Sequence, residues 1–456
     1  MTNETLVERY RCPDRFAEFT LSGALSGCAG YFRFGEESIC YGQFAGGAPA
    51  PLDTLNLCDV AAHTTADGVT LRLPFEPRQI IDNLRLERYV ATSHEGGKGL
   101  GARSALRSAY YMVRPILPVR VRKHLQRFHL AGWEHIPFPR WPVDRTVEHV
   151  FERQLAVLLQ SGSVETVPFI WFWPHGSPSC AIVTHDVETA AGRDFCPELM
   201  DLDEARAIKS SFQIIPESRY AVTSRFLDDI RDRGFEVNVH DLNHDGHLFR
   251  ERKEFLRRAG RINRYRAEFG ANGFRSAVLY RNLNWYDALD FAYDMTVPSV
   301  AHLDPQRGGC CTVMPYFIGK MLELPLTTTQ DYSLFHVLNE YSIELWKRQI
   351  ALITEKHGLV SFNVHPDYIR ETRARQVYQA LLDHLAQLRS ERKIWTALPG
   401  DVNRWWRERS LMRLRSRGNG WDIEGQGNAR ARIAHATLEG NRVVYRIEPA
   451  RSTSGG

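Results

Sequence analysis

The sequence lacks the long apolar run of a membrane helix and the cysteine pattern of a secreted disulfide protein. None of its 456 residues belongs to an uninterrupted apolar stretch of about 18 residues, and its start alternates charged and apolar side chains unlike a secretory signal. Eight cysteines are scattered without a Cys-x-x-Cys pair, which argues against a zinc knuckle or a disulfide framework. These absences predict reduced cysteines and a cytoplasmic protein without a transmembrane segment.

The chain also lacks a strong excess of charge of one sign. Its formal net charge is +4, and only eight of its 58 basic residues are lysines. Because so small a net charge gives the chain no large electrostatic attraction to nucleic acid, we predict that it does not bind nucleic acid. Hydrophobic residues make up 43% and charged residues 25%, a balance that excludes a disordered or collagen-like chain. The length suggests more than one domain.

Three regions differ in their sequence pattern. Residues 1–150 mix short strand-like runs with Gly- and Pro-rich turns, which predicts an N-terminal accessory region of mixed α and β structure. Residues 168–396 alternate β-branched runs with helical segments. Residues 400–456 have the pattern of a small β-rich C-terminal region, with strands near residues 431–433 and 442–447.

The middle region predicts an α/β fold with a parallel sheet, either doubly wound or closed into a barrel. The predicted strands are Cys180–Thr184, Ser211–Ile215, Glu236–His240, Phe274–Leu279, Thr312–Tyr316, Leu322–Leu326 and Leu359–Val364. Sites in such folds gather at the carboxyl ends of the strands. Side chains that can carry chemistry should therefore follow these runs closely.

Most of the expected polar side chains do follow the predicted strands. Asp186 and Glu188 follow the first one, and residues two apart on an extended segment point the same way. His240 and His244 lie four apart at the end of the third, where two imidazoles can meet one cation. Arg275 lies near the start of the fourth run, so either that boundary is wrong or Arg275 is outside the site.

Taken together, these segments resemble a known family. The motifs are Thr184-His185-Asp186-Val187-Glu188, His240-Asp241-Leu242-Asn243-His244, Gly273-Phe274-Arg275-Ser276 and Val364-His365. With them, residues 175–395 resemble the polysaccharide deacetylase (NodB-homology) superfamily of metal-dependent carbohydrate amide and ester hydrolases. The first motif departs from the commoner pair of adjacent aspartates, which leaves open whether Asp186 or Glu188 ligates the metal. The resemblance implies a distorted (β/α) barrel of about seven strands.

The resemblance also implies roles for the site residues. The implied metal ligands are Glu188, His240 and His244, and the implied catalytic residues are Asp186, Arg275, Asp331 and His365. Asp186 would be the general base, held ionised by Arg275. His365 would be the general acid, with Asp331 keeping it charged. Zinc suits a ligand set of two nitrogens and one oxygen, and cobalt, nickel or iron would also fit.

The predicted function is hydrolysis of an N-acetyl group, or of an O-acetyl or formyl group, from a carbohydrate. The substrate would be a polysaccharide, an oligosaccharide or a lipid-linked sugar in glycan assembly. Two alternatives remain: a catalytically impaired carbohydrate-binding relative with the same barrel, and an amidase that acts on a non-sugar amide. The joint presence of base, acid, arginine and histidine pair argues against loss of catalysis, because a binding protein does not need all of them.

Other features have competing interpretations. His185 and His247 are alternative site histidines, with a local structural role favoured for both. The aromatic residues that could stack on sugar rings or simply pack in the core are Trp171, Trp173, Trp285 and Tyr286. The Gly-rich run 94–101 is interpreted as a flexible turn, not a phosphate loop. The basic run 103–127 is interpreted as a solvated connector, with a lipid carrier or membrane surface as the alternative contact. Trp405 and Trp406 are expected to dock the C-terminal region, with a carbohydrate-binding module as the alternative.

Overall fold

The N-terminal part of the chain, where the structure describes it, forms small sheets beside three α-helices. The computed structural model describes residues 1–52, 57–90, 132–418 and 420–449. Before the main sheet, its elements are α1 (Glu4–Tyr10), β1 (Phe19–Leu21), β2 (Gly30–Arg33), β3 (Ile39–Gly42), β4 (Thr65–Asp67), β5 (Thr70–Leu73), α2 (Pro77–Arg85), α3 (Thr146–Gln160) and β6 (Val167–Ile170). Strand β5 pairs with β1 and β4, and β2 pairs with β3.

The middle of the chain alternates strands with helices. Its strands are β7 (Cys180–Val187), β8 (Ser211–Ile214), β9 (Glu236–His240), β10 (Gly273–Arg275), β11 (Tyr293–Asp294), β12 (Tyr316–Ile318), β13 (Met321–Glu323), β14 (Leu359–Asn363) and β15 (Trp395–Thr396). Its helices are α4 (Ala190–Glu204), α5 (Ser224–Asp232), α6 (Arg252–Glu268), α7 (Glu344–Thr354), α8 (Pro366–Ile369) and α9 (Thr372–Ser390). All eight residues of β7 are buried, as expected of a parallel strand that is covered on both faces.

These nine strands form one curled sheet. Its order is β12-β13-β11-β10-β9-β8-β7-β14, and β15 pairs with β7 beside the first residues of that strand. Every pairing is parallel except that of β12 with β13. The hydroxyls of Thr327 and Thr328 donate to the carbonyls of Leu359 and Ser361, each at 2.7 Å, and so link the segment after β13 to β14. The predicted α/β fold with a distorted barrel is thereby confirmed, with nine strands in place of about seven.

The C-terminal elements pack against the N-terminal part of the chain. They are α10 (Pro399–Leu411), β16 (Arg413–Arg417), β17 (Gly420–Glu424), β18 (Ile433–Glu439) and β19 (Arg442–Ile447). Strand β18 lies between β19 and β6. One apolar cluster joins these elements to α1, α2 and α3, whereas a second lies between the main sheet and α4 to α9. The division into 1–150, 168–396 and 400–456 stays a prediction, because packing alone does not establish independent folding units.

Several predicted strand boundaries are wrong, and the structure shows the reason for some of them. The run 312–316 is not a strand up to residue 315, because the Glu148 carboxylate accepts hydrogen bonds from the Thr312 hydroxyl and the Val313 amide. The fourth strand ends at Arg275, since Val278 and Leu279 have left-handed backbone angles that no strand continues through. In the tail, residues 431 and 432 precede β18, and α10 was not predicted. Strands β11 and β15 have two residues each, too few for a periodic signal.

Candidate active site

The predicted site residues come together at the carboxyl ends of neighbouring strands. Asp186 is the last residue but one of β7. His240 is the last residue of β9, and Arg275 is the last residue of β10. His365 follows β14 by two residues, and Asp331 comes from the segment after β13. The end of β10 at Arg275 settles the open boundary, because it puts this arginine at the same edge of the sheet as the others.

Three side chains form a possible metal site. Glu188, His240 and His244 each offer one ligand atom, and these atoms all lie within 4.8 Å of one another. Nε2 of His240 is buried without a hydrogen-bond partner, whereas its Nδ1 lies 3.1 Å from the carbonyl oxygen of Arg275. Two imidazoles and a carboxylate are a typical zinc donor set. The residues present therefore fit a divalent cation.

The loop after β9 turns sharply to bring the second histidine back. Asp241 and His244 both have left-handed backbone angles, with φ of 54° and 55°, a conformation that aspartate tolerates better than most residues. The Asp241 carboxylate accepts hydrogen bonds from the amides of Leu242 at 2.6 Å and Ala277 at 3.2 Å, which fixes the turn. As a result, the rings of His240 and His244 lie 4.9 Å apart between centroids.

The charges at this site are mutually dependent. Burial lowers the pKa of His240 to about 4, which keeps its imidazole neutral. Glu188 Oε1 lies 2.9 Å from His244 Nε2. Burial alone would raise the pKa of Glu188, but His244 holds it well below its usual range. Burial would lower the pKa of His244, yet the Glu188 carboxylate raises it. A divalent cation would compete with that proton, because only a neutral imidazole is a ligand.

Asp186 is held from two sides. Nη1 of Arg275 donates to Asp186 Oδ1 at 2.8 Å and also contacts the Thr184 hydroxyl at 2.8 Å. Nδ2 of Asn363 donates to Asp186 Oδ2 at 2.8 Å. Burial alone would raise the pKa of Asp186, but Arg275 and the nearby histidines hold it well below the usual range for an aspartate. The carboxylate is therefore ionised and fixed in direction, as a general base requires.

His365 forms a close pair with Asp331. Nδ1 of His365 lies 2.6 Å from Asp331 Oδ1, and the backbone amide of His365 donates to Asp331 Oδ2 at 2.7 Å. Burial alone would lower the pKa of His365, but the Asp331 carboxylate raises it to about 10. Nε2 of His365 then points into the site, 3.6 Å from Glu188 Oε1 and 3.9 Å from Asp186 Oδ2. Such a charged imidazole can deliver a proton.

The two alternative histidines lie outside this group. His185 is fully buried, with Nδ1 2.9 Å from the carbonyl oxygen of Val364 and Nε2 3.3 Å from Asp203 Oδ2. His247 has a side chain that is 48% exposed and lies 3.7 Å from Asp245. The first thus stabilises the wall of the barrel and the second is a surface residue, as the sequence favoured.

The aromatic residues proposed as sugar contacts are mostly packing residues. Trp171, Trp173 and Tyr286 are at most 2% exposed, and Trp285 packs on Phe255 with ring centroids 5.3 Å apart. In the C-terminal region, Trp405 is also a packing residue: it is fully buried, and its Nε1 donates to the carbonyl of Phe172 at 2.8 Å. This contact favours docking over a carbohydrate-binding module. The Gly-rich run 94–101 and the basic run 103–127 lie outside the described residues.

Two residues of the site were missed by sequence reasoning. Asn363, which contacts Asp186, is two positions before His365 on the apolar strand β14, and a polar residue on that face of a strand was a usable signal. Asp367 accepts a hydrogen bond from the backbone amide of Glu188 at 3.2 Å. Its sequence neighbourhood carries no signal for that contact, because the partner lies 179 positions away.

Comparison with known proteins adds structural neighbours only. No family model matches the sequence, and no curated protein is found as a relative. A putative polysaccharide deacetylase from Mycobacterium smegmatis is 15% identical with a TM-score of 0.43, over 55% of this chain and 97% of that one. A PuuE allantoinase is 15% identical with a TM-score of 0.40, over 51% and 92% of the two chains. A probable polysaccharide deacetylase from Pseudomonas aeruginosa PAO1 is 14% identical with a TM-score of 0.39, over 50% and 91%.

The chain resembles polysaccharide deacetylases in four ordered motifs, and solved structures described as such are found among its neighbours. Similarities of this size carry no conclusion about activity, which is therefore argued from the residues of this chain. Within the described ranges, no helix has the length and apolar character needed to span a membrane.

Proposed function

We propose that this chain is a metal-dependent hydrolase of carbon–nitrogen bonds other than peptide bonds, which removes N-acetyl groups from a carbohydrate. The observation that carries the proposal is the position of three ligand atoms, all within 4.8 Å of one another, beside an ionised Asp186 and a charged His365. A binding protein would have no use for an acid and a base that both lie next to a cation site. O-acetyl and formyl groups are the closest chemical alternatives.

Glu188, His240 and His244 would hold the cation, and zinc is the metal that their donor set favours. When bound, such a cation acts as a Lewis acid that polarises a carbonyl and lowers the pKa of a water molecule. Asp186 accepts the proton of the attacking water on its carboxylate, while Arg275 and Asn363 keep that carboxylate in one orientation. An anchored base of this kind contributes roughly 10²-fold or more to the rate.

His365 supplies the proton that the leaving amine needs. A sugar amine is a poor leaving group as the free anion, so protonation during bond cleavage is required. Asp331 keeps the imidazole charged and fixes its direction through Nδ1, which leaves Nε2 to face the substrate. The substrate class remains part of the proposal: a polysaccharide, an oligosaccharide or a lipid-linked sugar. A cytoplasmic location and the absence of a nucleic-acid partner stay predictions.

The test combines metal analysis with acetate release. Purified protein should retain about one divalent ion per chain and release acetate from at least one member of a panel of N-acetylated glycans. N-acetylated amides without a sugar are assayed beside the glycans, so that acetate release also detects an amidase that acts on a non-sugar amide. Replacing His240 and His244 together by alanine should abolish both metal retention and acetate release, because two of the three ligands are lost.

His247→Ala is the matched control, because this exposed histidine lies three residues beyond His244 and outside the ligand group. It should leave metal content and activity unchanged. Full metal occupancy in the double variant would overturn the site assignment. Metal retention without hydrolysis of any panel member would instead favour the catalytically impaired binding protein.

A further inference from the structure

We propose that Asp367 is a positioning residue that holds the metal carboxylate Glu188 in place. The inference deepens the proposed function and rests on it. Asp367 lies in α8, two residues after His365, and α8 packs against both α4 and β7. It therefore reaches from the strand that carries the proposed acid to the loop that carries the proposed ligand. No other part of the proposed mechanism uses this side chain.

The Asp367 carboxylate is engaged by the loop that follows β7. The backbone amide of Glu188 donates to Asp367 Oδ2 at 3.2 Å, and the hydroxyl of Thr189 donates to Asp367 Oδ1. Thr189 is also the N-cap of α4, where its hydroxyl accepts a hydrogen bond from the amide of Gly192 at 3.2 Å. Both oxygens of Asp367 thus bind consecutive residues at the start of α4, and the backbone of Glu188 is fixed.

Gly192 leaves the space that this contact needs. A β-carbon at this position would lie 2.7 Å from Cγ of Asp367 and closer still to Oδ2, so any larger residue would displace the carboxylate. Glycine inside a helix costs about 1 kcal/mol relative to alanine. The fold keeps the less favourable residue where the Asp367 carboxylate lies against the helix.

The consequence is a fixed separation between ligand and acid. Glu188 reaches its position from β7 and His365 from β14, and Nε2 of His365 lies 3.6 Å from Glu188 Oε1. Without Asp367, the loop after β7 would lose its connection to β14, and the Glu188 carboxylate would be less well oriented toward the two histidines. Residues that orient a metal ligand typically contribute about 10-fold to 100-fold to metal affinity.

Two independent variants test this inference. Asp367→Ala removes the carboxylate, whereas Gly192→Ala displaces it and at the same time improves helix propensity. In both, the dissociation constant for Zn²⁺, measured by competition with a chromophoric chelator, should rise about 10-fold or more. The visible absorption spectrum of the Co²⁺-loaded protein should change shape, because it reports the ligands around the ion. A loss of stability alone would not alter that spectrum.

Matched controls separate the specific effect from general ones. Gly260→Ala changes a glycine of α6 that has open space around it, and Asp383→Ala removes an exposed carboxylate that pairs with Arg206 on the surface. Both should keep the wild-type zinc affinity and cobalt spectrum. If wild-type protein binds metal and both test variants match it in affinity and spectrum, the inference is wrong. If wild-type protein binds no divalent metal, the proposed function fails and the inference fails with it.

Discussion

At the scale of single residues, the two carboxylates that follow β7 differ in what surrounds them. Both oxygens of Asp186 accept hydrogen bonds, from Arg275 and from Asn363. Glu188 instead presents Oε1 to the histidine pair. A carboxylate whose oxygens are already engaged by two donors is a poor ligand and a well-oriented base. The difference between them lies in their partners, not in their own chemistry.

Exchanging each carboxylate for its amide should separate these roles. Asp186→Asn should retain the metal and lose roughly 10²-fold or more in turnover, because a positioned base is removed. Glu188→Gln should lose metal affinity, because a neutral amide oxygen is a weaker ligand than a carboxylate. Metal content and initial rates of acetate release measure the two effects. Loss of metal from Asp186→Asn with retention in Glu188→Gln would exchange the two roles.

His365 should matter most when the leaving group is poor. His365→Ala is expected to slow hydrolysis of N-acetyl substrates at least about 10²-fold more than hydrolysis of an activated aryl ester, whose leaving group needs no proton. Rates of both substrates in the same preparation give the ratio. His247→Ala should change neither rate, since that side chain is 48% exposed and outside the site. Equal losses on both substrates in His365→Ala would make His365 a structural or substrate-positioning residue.

At the scale of elements, the connection from α7 to β14 contains a half-buried histidine that is neutral at pH 7. His357 stacks with Phe172 at 6.2 Å and meets Trp171 at 4.7 Å between ring centroids. Burial lowers its pKa to about 4, whereas an unfolded histidine titrates near 6.5. Between these values the unfolded chain binds a proton that the folded chain does not. Stability is therefore lost as the pH falls from about 6.5 toward 4, by up to about 1.4 kcal/mol per pH unit.

The variant His357→Asn removes this contribution. Asparagine tolerates the left-handed backbone angle at this position, where φ is 56°. The variant should be less stable than wild type at pH 7 because it loses ring packing, and the difference should shrink on acidification. Urea unfolding at several pH values between 7 and 4 measures it. A constant difference across that range would show that His357 does not resist protonation in the folded state.

At the scale of the whole molecule, one buried arginine forms hydrogen bonds that connect α10 to the N-terminal part of the chain. Arg409 of α10 donates through Nε to the carbonyl of Trp171 at 2.9 Å. Its Nη2 donates to the carbonyls of Ile170 at 2.6 Å and Arg9 at 2.9 Å. The side chain thereby joins α10, the end of β6 and α1, and it is 1% exposed.

Arg409→Met should therefore weaken the entire fold. The substitution leaves up to three carbonyl groups without this donor, and an unsatisfied buried group costs about 1–3 kcal/mol. We expect a loss of at least about 2 kcal/mol in the free energy of unfolding, measured with urea. The control Arg446→Met removes an arginine that is 69% exposed and pairs with Glu439, and it should change stability by less than about 0.5 kcal/mol. Equal stability of the two variants would contradict the prediction.

Sequence pattern was sufficient for the fold class of the middle of the chain. The order of motifs and the parallel α/β sheet could be predicted, because buried parallel strands are short apolar runs and polar side chains follow their ends. The polar Asn363 in β14 was also readable and was overlooked. These features are local, so a single stretch of sequence contains the whole signal.

Tertiary structure decided what depends on distant partners. The directions of Asp186 and Glu188 depend on Arg275, Asn363 and His244, which come from three other strands of the sheet or the loops that follow them. The pairing of β18 with β6 and the burial of Trp405 likewise depend on contacts with remote segments. A pattern of neighbouring residues specifies local conformation and burial, whereas hydrogen-bond direction is set only when the chain has brought donor and acceptor together.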